Sequence, residues 1–129
     1  MIYTRQVLIL ISSLLLMSLI GCQNNTEIES YLAPDSNSYA VFFIVEEKSD
    51  TIVENELLSD LYIENFQYIS QFGILKSSTE DAKIISEELL IDEYPAYILF
   101  NFEEALLIEQ DYNKFKLSLV DIIARERSR

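Results

Sequence analysis

The sequence predicts an α/β domain built around a mixed β-sheet, and three observations support this. An uninterrupted apolar run over residues 39–45 is typical of a strand that is covered on both faces. Two amphipathic helical segments follow, and each begins at a Ser or Thr that has Glu three residues later. Pro95 then precedes a third strand, and another apolar run follows so closely that only an antiparallel hairpin can join them.

Both helices are predicted from capping boxes and from the spacing of their apolar residues. In the first helix the Thr51 hydroxyl would accept a backbone N–H, and Glu54 would reach back to the N–H of Thr51. Ser77 and Glu80 have the same spacing at the start of the second helix. Each helix then carries an apolar stripe that can pack on a sheet, formed by Val53, Leu57 and Leu61 in the first and by Ala82, Ile85 and Leu89 in the second.

Three further strands and a last helix complete the predicted domain. The segment 66–75 mixes aromatic and branched residues with polar ones and is expected to be the second strand. Pro95 cannot donate to a sheet ladder, so we expect it at the threshold of a strand over residues 96–102. The run 105–108 is the expected hairpin partner, and Asp111 is expected to cap the last helix.

The first 21 residues have the three parts of an export signal, with Arg5 near the start, an apolar stretch over residues 7–20, and Gly21 before Cys22. That stretch is shorter than the roughly 20 residues that span a bilayer, although an uncleaved anchor and an ordinary secretory signal stay open. The segment resembles a bacterial lipoprotein signal peptide with its lipobox. The resemblance implies that signal peptidase II cuts between Gly21 and Cys22. It also implies that the Cys22 thiol is acylated and holds the chain in the lipid bilayer, on the extracytoplasmic face of the cell membrane.

Composition divides the rest of the chain into a tether and one domain. Residues 22–38 begin with the cysteine and are rich in Asn and Ser, which is typical of a flexible tether. Residues 39–129 have the length of a single domain. The chain has 22 acidic and 9 basic residues and a formal net charge of -13 at pH 7. Nucleic acid is therefore not expected as a partner, because phosphates repel a chain of this sign.

The predicted order of strands and helices resembles that of the thioredoxin fold. In that family an aliphatic residue, a cis-proline and a phenylalanine recur at the spacing that Ile91, Pro95 and Phe100 have here. The resemblance covers residues 39–123 and implies a three-layer α/β/α domain with a central mixed sheet. It also implies that an extended polypeptide pairs beside the cis-proline, in a partner groove formed by Tyr94, Pro95, Lys48, Ser49, Asp50 and Thr51.

The sequence departs from that family in its sulfur content. Catalytic thioredoxins open the first helix with Cys-x-x-Cys, whose N-terminal thiolate attacks disulfides. The loop 46–51 has no cysteine here, and Cys22 is the only cysteine of the chain. We therefore expect a domain that carries out no disulfide exchange and is not an enzyme.

Other chemistries lack their usual residues. The chain has no histidine, which removes the commonest general base and the commonest zinc ligand. Many acidic residues are adjacent pairs, which are typical of solvated turns, and the alternating Asp loop of a calcium site is missing. No catalytic residue, cofactor or metal is expected, and an enzyme that uses paired carboxylates is the lesser alternative.

Two functional hypotheses follow. In the first, the protein is a membrane-anchored extracytoplasmic lipoprotein whose non-catalytic thioredoxin-like domain holds a protein or peptide partner in the cell envelope. In the second, it is a structural or peptidoglycan-associated lipoprotein whose acidic surface keeps it soluble near the cell wall or meets a basic partner. Its usage of Ile, Lys, Asn, Glu and Tyr suits a low-GC Gram-positive bacterium, and the chain resembles the small wall-associated lipoproteins of such bacteria. Pro95 would then be only a structural device, and Tyr94 only a core or rim aromatic.

Overall fold

A computed structural model describes residues 28–128. The chain divides after Ser30, and the unit from Tyr31 onward contains the sheet and its helices. A 3-10 turn over Glu29–Tyr31 comes first. The strands and helices that follow are β1 (Tyr39–Val45), α1 (Ile52–Asn65), β2 (Ile69–Lys76), α2 (Glu80–Leu89), β3 (Ala96–Phe100), β4 (Ala105–Glu109) and α3 (Tyr112–Arg127).

The four strands form one mixed sheet in the order β2-β1-β3-β4. β1 and β2 are parallel, whereas β3 is antiparallel to both of its neighbours, β1 and β4. All seven residues of β1 are buried, as its apolar run predicts, because helices cover both faces of this central strand. The predicted α/β fold with a central mixed sheet and a terminal hairpin is confirmed.

The three layers follow from the alternation of side chains along β1. Val41 and Phe43 face α1 and α3, while Phe42 and Ile44 face α2. The buried helix residues that meet them are Leu58, Leu61, Phe115, Leu119 and Ile123 on the first face, and Ala82 and Ile85 on the second. The sheet is therefore enclosed between two hydrophobic clusters.

The start of α1 differs from the predicted capping box. Thr51 has a left-handed backbone with φ 62°, and its side chain caps nothing. Asp50 Oδ1 instead accepts the N–H of Ile52 at 3.2 Å, and Ser49 Oγ accepts the N–H of Thr51 at 3.1 Å. The capping box at Thr51 and Glu54 is thus wrong, because the two polar residues before Thr51 already take the first free backbone donors.

The start of α2 also differs, whereas the start of α3 does not. Thr79 Oγ1 accepts the N–H of Ala82 at 3.3 Å, so Thr79 is the cap in place of the predicted Ser77. The backbone N–H of Ser77 still extends the sheet, since it donates to the carbonyl of Val45. Asp111 caps α3 as predicted, with Oδ1 accepting the N–H of Lys114 at 3.0 Å.

Two strand boundaries differ from the predicted ones, because residues next to each strand belong to a helix end or to a turn. Phe66 has helical angles at the end of α1, so β2 begins at Ile69 rather than at Phe66. β3 ends at Phe100, because Asn101 Oδ1 accepts the backbone N–H groups of Glu103 and Glu104 and turns the chain. The hairpin therefore reverses two residues earlier than the pattern predicted.

The chain before β1 packs on the domain. The Tyr31 ring meets Phe42 edge-on at 5.6 Å between centroids. Ala33 is buried, and its N–H donates to the carbonyl of Asn101 at 2.9 Å. The tether predicted over residues 22–38 is therefore part of the packed structure from Tyr31 onward, because a few apolar residues are enough to hold a polar segment down.

Candidate functional site

The candidate site lies where β1 ends and β3 begins. The Tyr94–Pro95 peptide bond is cis, as the resemblance implies. Ala96 pairs with Ile44 in the antiparallel register, so Pro95 lies level with the last residue of β1. The loop 46–51 leaves β1 at the same edge of the sheet. The register thus brings Pro95 and this loop to one end of the domain, where a shared groove for a partner stays a prediction.

We call this end of the domain the Pro95 edge and define it by the segments 46–51, 77–79, 90–95 and 109–111. Side chains join these segments to one another. The Ser78 hydroxyl donates to the carboxylate of Glu47, and Gln110 Nε2 donates to the carbonyl of Glu93 at 3.4 Å. These bonds join the four segments in two pairs, 46–51 with 77–79 and 90–95 with 109–111.

The loop between β1 and α1 is held mainly by Ser49. Its N–H donates to the carbonyl of Glu46 at 3.0 Å, which closes a turn. Its hydroxyl donates to Glu54 Oε1 at 3.3 Å and accepts the N–H of Thr51. Lys48 and Asp50, on either side, are exposed. Glu46 and Glu47 are exposed as well, so the loop presents one cation and three carboxylates to solvent.

The side chain of Tyr94 is directed to α2. Its hydroxyl donates to Ser86 Oγ at 2.9 Å, and its ring packs against the cluster that holds Phe42 and Ile85. The side chain therefore fastens the proline segment to the helix. Within residues 28–128 the backbone N–H and carbonyl of Tyr94 form no hydrogen bond.

Tyr97 is a residue near the edge that sequence reasoning missed. Its ring lies 4.7 Å from Phe43 and 5.7 Å from Tyr112, between the sheet and the helices. Burial raises the pKa of the Tyr97 phenol, and Glu54, Tyr112 and Asp111 raise it further. The phenol is therefore neutral at physiological pH. The sequence signal for Tyr97 was its position two residues before Leu99 in β3, which places both side chains on the same face of the sheet. That spacing does not predict that the starts of α1 and α3 lie near the phenol.

Tyr112, at the start of α3, has a similar environment. Its hydroxyl donates to the carbonyl of Leu57 in α1 at 3.2 Å. Burial raises its pKa first, and the carboxylates of Glu64 and Asp60 raise it further. Tyr112 thus joins the two helices on one face of the sheet as an uncharged hydrogen-bond donor.

The surface of the Pro95 edge is both apolar and acidic. Leu90 is exposed within it, at the end of α2, and Ile52 and Val53 are exposed next to it, at the start of α1. In the described part of the chain the ion pairs are Lys116–Glu64 and Arg125–Asp121, and both involve α3. The carboxylates of this edge are therefore not neutralised by ion pairs, and they belong to Glu46, Glu47, Asp50, Asp92, Glu93, Glu109 and Asp111.

Two further observations concern metals and membranes. Among residues 28–128, no three side chains of the His, Cys, Asp and Glu types come together in a way that could hold a metal ion. In the same range, no helix combines the length and the apolar character that crossing a membrane requires. Gly21 and Cys22, the predicted cleavage and lipid-attachment residues, lie outside the described residues.

Thr51 supplies a test of the loop geometry. A left-handed backbone is costly for any residue with a Cβ, so Thr51→Gly is expected to be more stable than Thr51→Ala by about 1 kcal/mol. Both changes remove the same hydroxyl, so the difference between the two variants in urea unfolding measures the free-energy cost of the left-handed backbone. At Lys48, which has no positive φ, the alanine variant should be the more stable of the pair. An alanine advantage at Thr51 would contradict the geometry.

Taken together, the sheet order, the cis-proline and the helices on both faces define a thioredoxin-like fold. No protein-family model matches the chain, and no curated protein matches it. Among solved structures the chain is similar to thioredoxin O2 from Arabidopsis thaliana in the oxidized state. That match has 10% identity and a TM-score of 0.58, and it covers 79% of this chain and 88% of that one.

Two other thioredoxins are similar to the chain. Mitochondrial thioredoxin 3 from Saccharomyces cerevisiae, in its oxidized form, has 11% identity and a TM-score of 0.57, covering 74% of this chain and 88% of that one. Thioredoxin f2 from Chlamydomonas reinhardtii has 14% identity and a TM-score of 0.55, covering 81% of this chain and 94% of that one. Likeness at this identity shows the fold alone.

Proposed function

We propose that the protein is a membrane-anchored extracytoplasmic lipoprotein whose non-catalytic thioredoxin-like domain holds a protein or peptide partner in the cell envelope. The observation that carries the proposal is the Pro95 edge itself. Tyr94 offers an unpaired main chain beside a cis-proline, while the adjacent loop 46–51 has no cysteine. An edge that can pair with a polypeptide but has no thiol suits binding better than disulfide exchange.

The chemistry of the edge supports retention of an extended segment. Main-chain hydrogen bonds to Tyr94 would give affinity, and the surrounding side chains would give selectivity. The hydrogen bond from the Tyr94 hydroxyl to Ser86 holds the segment before Pro95 in place, and the hydrogen bonds of Ser49 hold the loop 46–51 in place. These two segments would be the walls of the partner groove, and both are fixed before a partner binds. A site whose walls are fixed before binding loses less conformational entropy when the partner arrives.

The proposed anchor is the acylated Cys22. Residues 23–30 separate it from the packed unit, and eight extended residues reach at most about 28 Å. An anchored domain would therefore stay close to the bilayer surface, so its partner would be a membrane-bound or wall-bound polypeptide. Acylation by two or more chains is the arrangement that gives stable membrane attachment.

A photoreactive residue at Lys48 tests the proposal in the full chain in intact membranes. Lys48 is exposed, whereas Tyr94 is half-buried against α2 and would report on the domain's own core. We expect a defined crosslinked partner from position 48. Glu103, an exposed residue in the β3–β4 turn at the other end of the hairpin, is the matched control and should capture no such partner.

Two outcomes would count against the proposal. A smear from position 48, or the same bands from both positions, would indicate that no partner is held at the Pro95 edge. Retention of the protein on purified peptidoglycan, together with no crosslinked polypeptide, would favour the wall-associated alternative.

A further inference from the structure

A groove of about 530 Å³ lies where α2 leads into β3, and Ala96, the residue after Pro95, lines it. Its walls come from the α2–β3 segment and from the β4–α3 turn, and the buried start of β3 at Ala96 forms part of the floor. We call it the Leu90 groove. The residues that define it are Leu90, Ile91 and Ile108, which are apolar, and Asp92, Glu109 and Asp111, which are acidic.

The apolar part of the Leu90 groove is unusually open to solvent. Leu90 is 88% exposed and Ile108 is 41% exposed. Leu90 ends α2 in a left-handed conformation, with φ 56° and its N–H bonded to the carbonyl of Ser86. This turn directs the chain toward Pro95 and leaves the leucine side chain outside the core. Exposed apolar side chains that line one groove indicate an interaction surface.

The charges of the Leu90 groove have one predominant sign. Asp92, Glu109 and Asp111 face a single cation, Lys114, which gives a formal charge of -2 from three acids and one base. No ion pair within residues 28–128 involves any of these four side chains. Asp111 uses one carboxylate oxygen as the cap of α3. The groove therefore attracts a cationic occupant by long-range electrostatics.

We propose that the Leu90 groove binds an extended polypeptide segment of the partner in which lysine or arginine alternates with apolar residues. The inference rests on the proposed function, because it names the chemistry of the partner held at the Pro95 edge. Side chains of an extended segment alternate between two sides. One set can contact Leu90, Ile91 and Ile108 while the other reaches the carboxylates on the rim.

Synthetic peptides test this chemistry on the full chain in detergent solution. The probe is a ten-residue peptide that alternates lysine and valine, and its binding is measured by fluorescence anisotropy near physiological salt. We expect saturable binding of this peptide and none of the matched glutamate–valine peptide. The lysine–serine peptide should bind at least about tenfold more weakly, since it lacks the apolar contacts. Equal binding of the lysine–valine and lysine–serine peptides would overturn the apolar role of the groove.

Paired charge reversals locate the site. Asp92→Lys with Glu109→Lys changes the rim of the groove, and Glu103→Lys with Glu104→Lys makes the same change in charge at the opposite end of the hairpin. The groove pair should weaken binding about tenfold and the control pair less than about twofold. Equal losses would mean that binding is non-specific attraction and would overturn the inference.

Two further measurements separate this inference from the proposed function. Asp92→Asn with Glu109→Gln removes the charges with little change in shape, so it can replace the reversal pair if that pair fails to fold. It should weaken binding of the lysine–valine peptide. Unchanged binding by this neutral pair would overturn the inference. Sequencing of the segment captured from Lys48 gives the second measurement. A captured segment that is acidic or uncharged would overturn the inference while leaving the proposed function standing.

Discussion

Phe43→Ala is expected to lower the free energy of unfolding by about 3–5 kcal/mol. Phe43 is completely buried in β1. Its ring meets the rings of Tyr97, Tyr112 and Phe115 edge-on at 4.7, 6.2 and 6.1 Å between centroids. Truncation removes contacts to β3 and to α3 at once, and it leaves a cavity between the sheet and the helices. The loss of three edge-on aromatic pairs adds to the free energy that is lost when the buried ring is removed from the core.

Urea unfolding of the full chain, followed by circular dichroism, measures this loss at constant m-value. Domains of this size are stable by roughly 5–15 kcal/mol, so the variant should be marginally folded at 25 °C. Phe66→Ala is the matched control, because Phe66 is 60% exposed just after α1. It should change stability by less than about 1 kcal/mol. Similar losses in the two variants would contradict the assignment of Phe43 to the centre of the core.

The sequence predicted the parts of the fold that depend on burial. The run 39–45 is apolar at every position, and only a strand covered on both faces buries all of them. The hairpin was predictable from the short distance between two apolar runs. Asp111 was predictable as a cap because it is the polar residue that directly precedes the last apolar helix.

The other caps could not be predicted, because several candidates compete over a few residues. Ser49, Asp50 and Thr51 all have side chains that can accept the first N–H groups of α1. The turn from Ser49 N–H to the carbonyl of Glu46 decides which of them reaches the helix end, and that turn depends on where β1 ends. Thr79 is the cap in place of Ser77, because the backbone of Ser77 still belongs to the sheet through its hydrogen bond to Val45, and α2 begins only at Glu80.

The candidate site was predictable in its backbone and not in its side chains. A proline at the start of a strand predicts that Pro95 lies at one end of the strands, and the register with Ile44 agrees. The direction of Tyr94 depends on Ser86, eight residues earlier on α2, and on the left-handed end of that helix at Leu90. No periodic pattern encodes that turn, so the Leu90 groove could not be anticipated from the sequence.

Cys22→Ala is expected to leave the protein as an unprocessed precursor that takes up no labelled fatty acid. In the proposed pathway the acylated thiol is the signal for cleavage, so removing the thiol blocks both steps. Each buried methylene contributes about 0.8 kcal/mol, so the two acyl chains of the proposed lipoprotein would hold it firmly on the membrane. Metabolic labelling with palmitate and gel mobility measure the two steps separately, since cleavage after Gly21 removes 21 residues.

Ser13→Ala, in the apolar stretch of the signal, is the matched control and should be labelled and cut normally. A Cys22→Ala protein that is cut at the normal position without label would indicate an ordinary secretory signal. An uncut and unlabelled wild-type protein would indicate an anchor helix. Either result would remove the lipid from the proposed function but not the partner from the Pro95 edge, because crosslinking from Lys48 reads the edge alone. The anchor and the binding surface are therefore separately testable, since residues 23–30 are the only covalent connection between them.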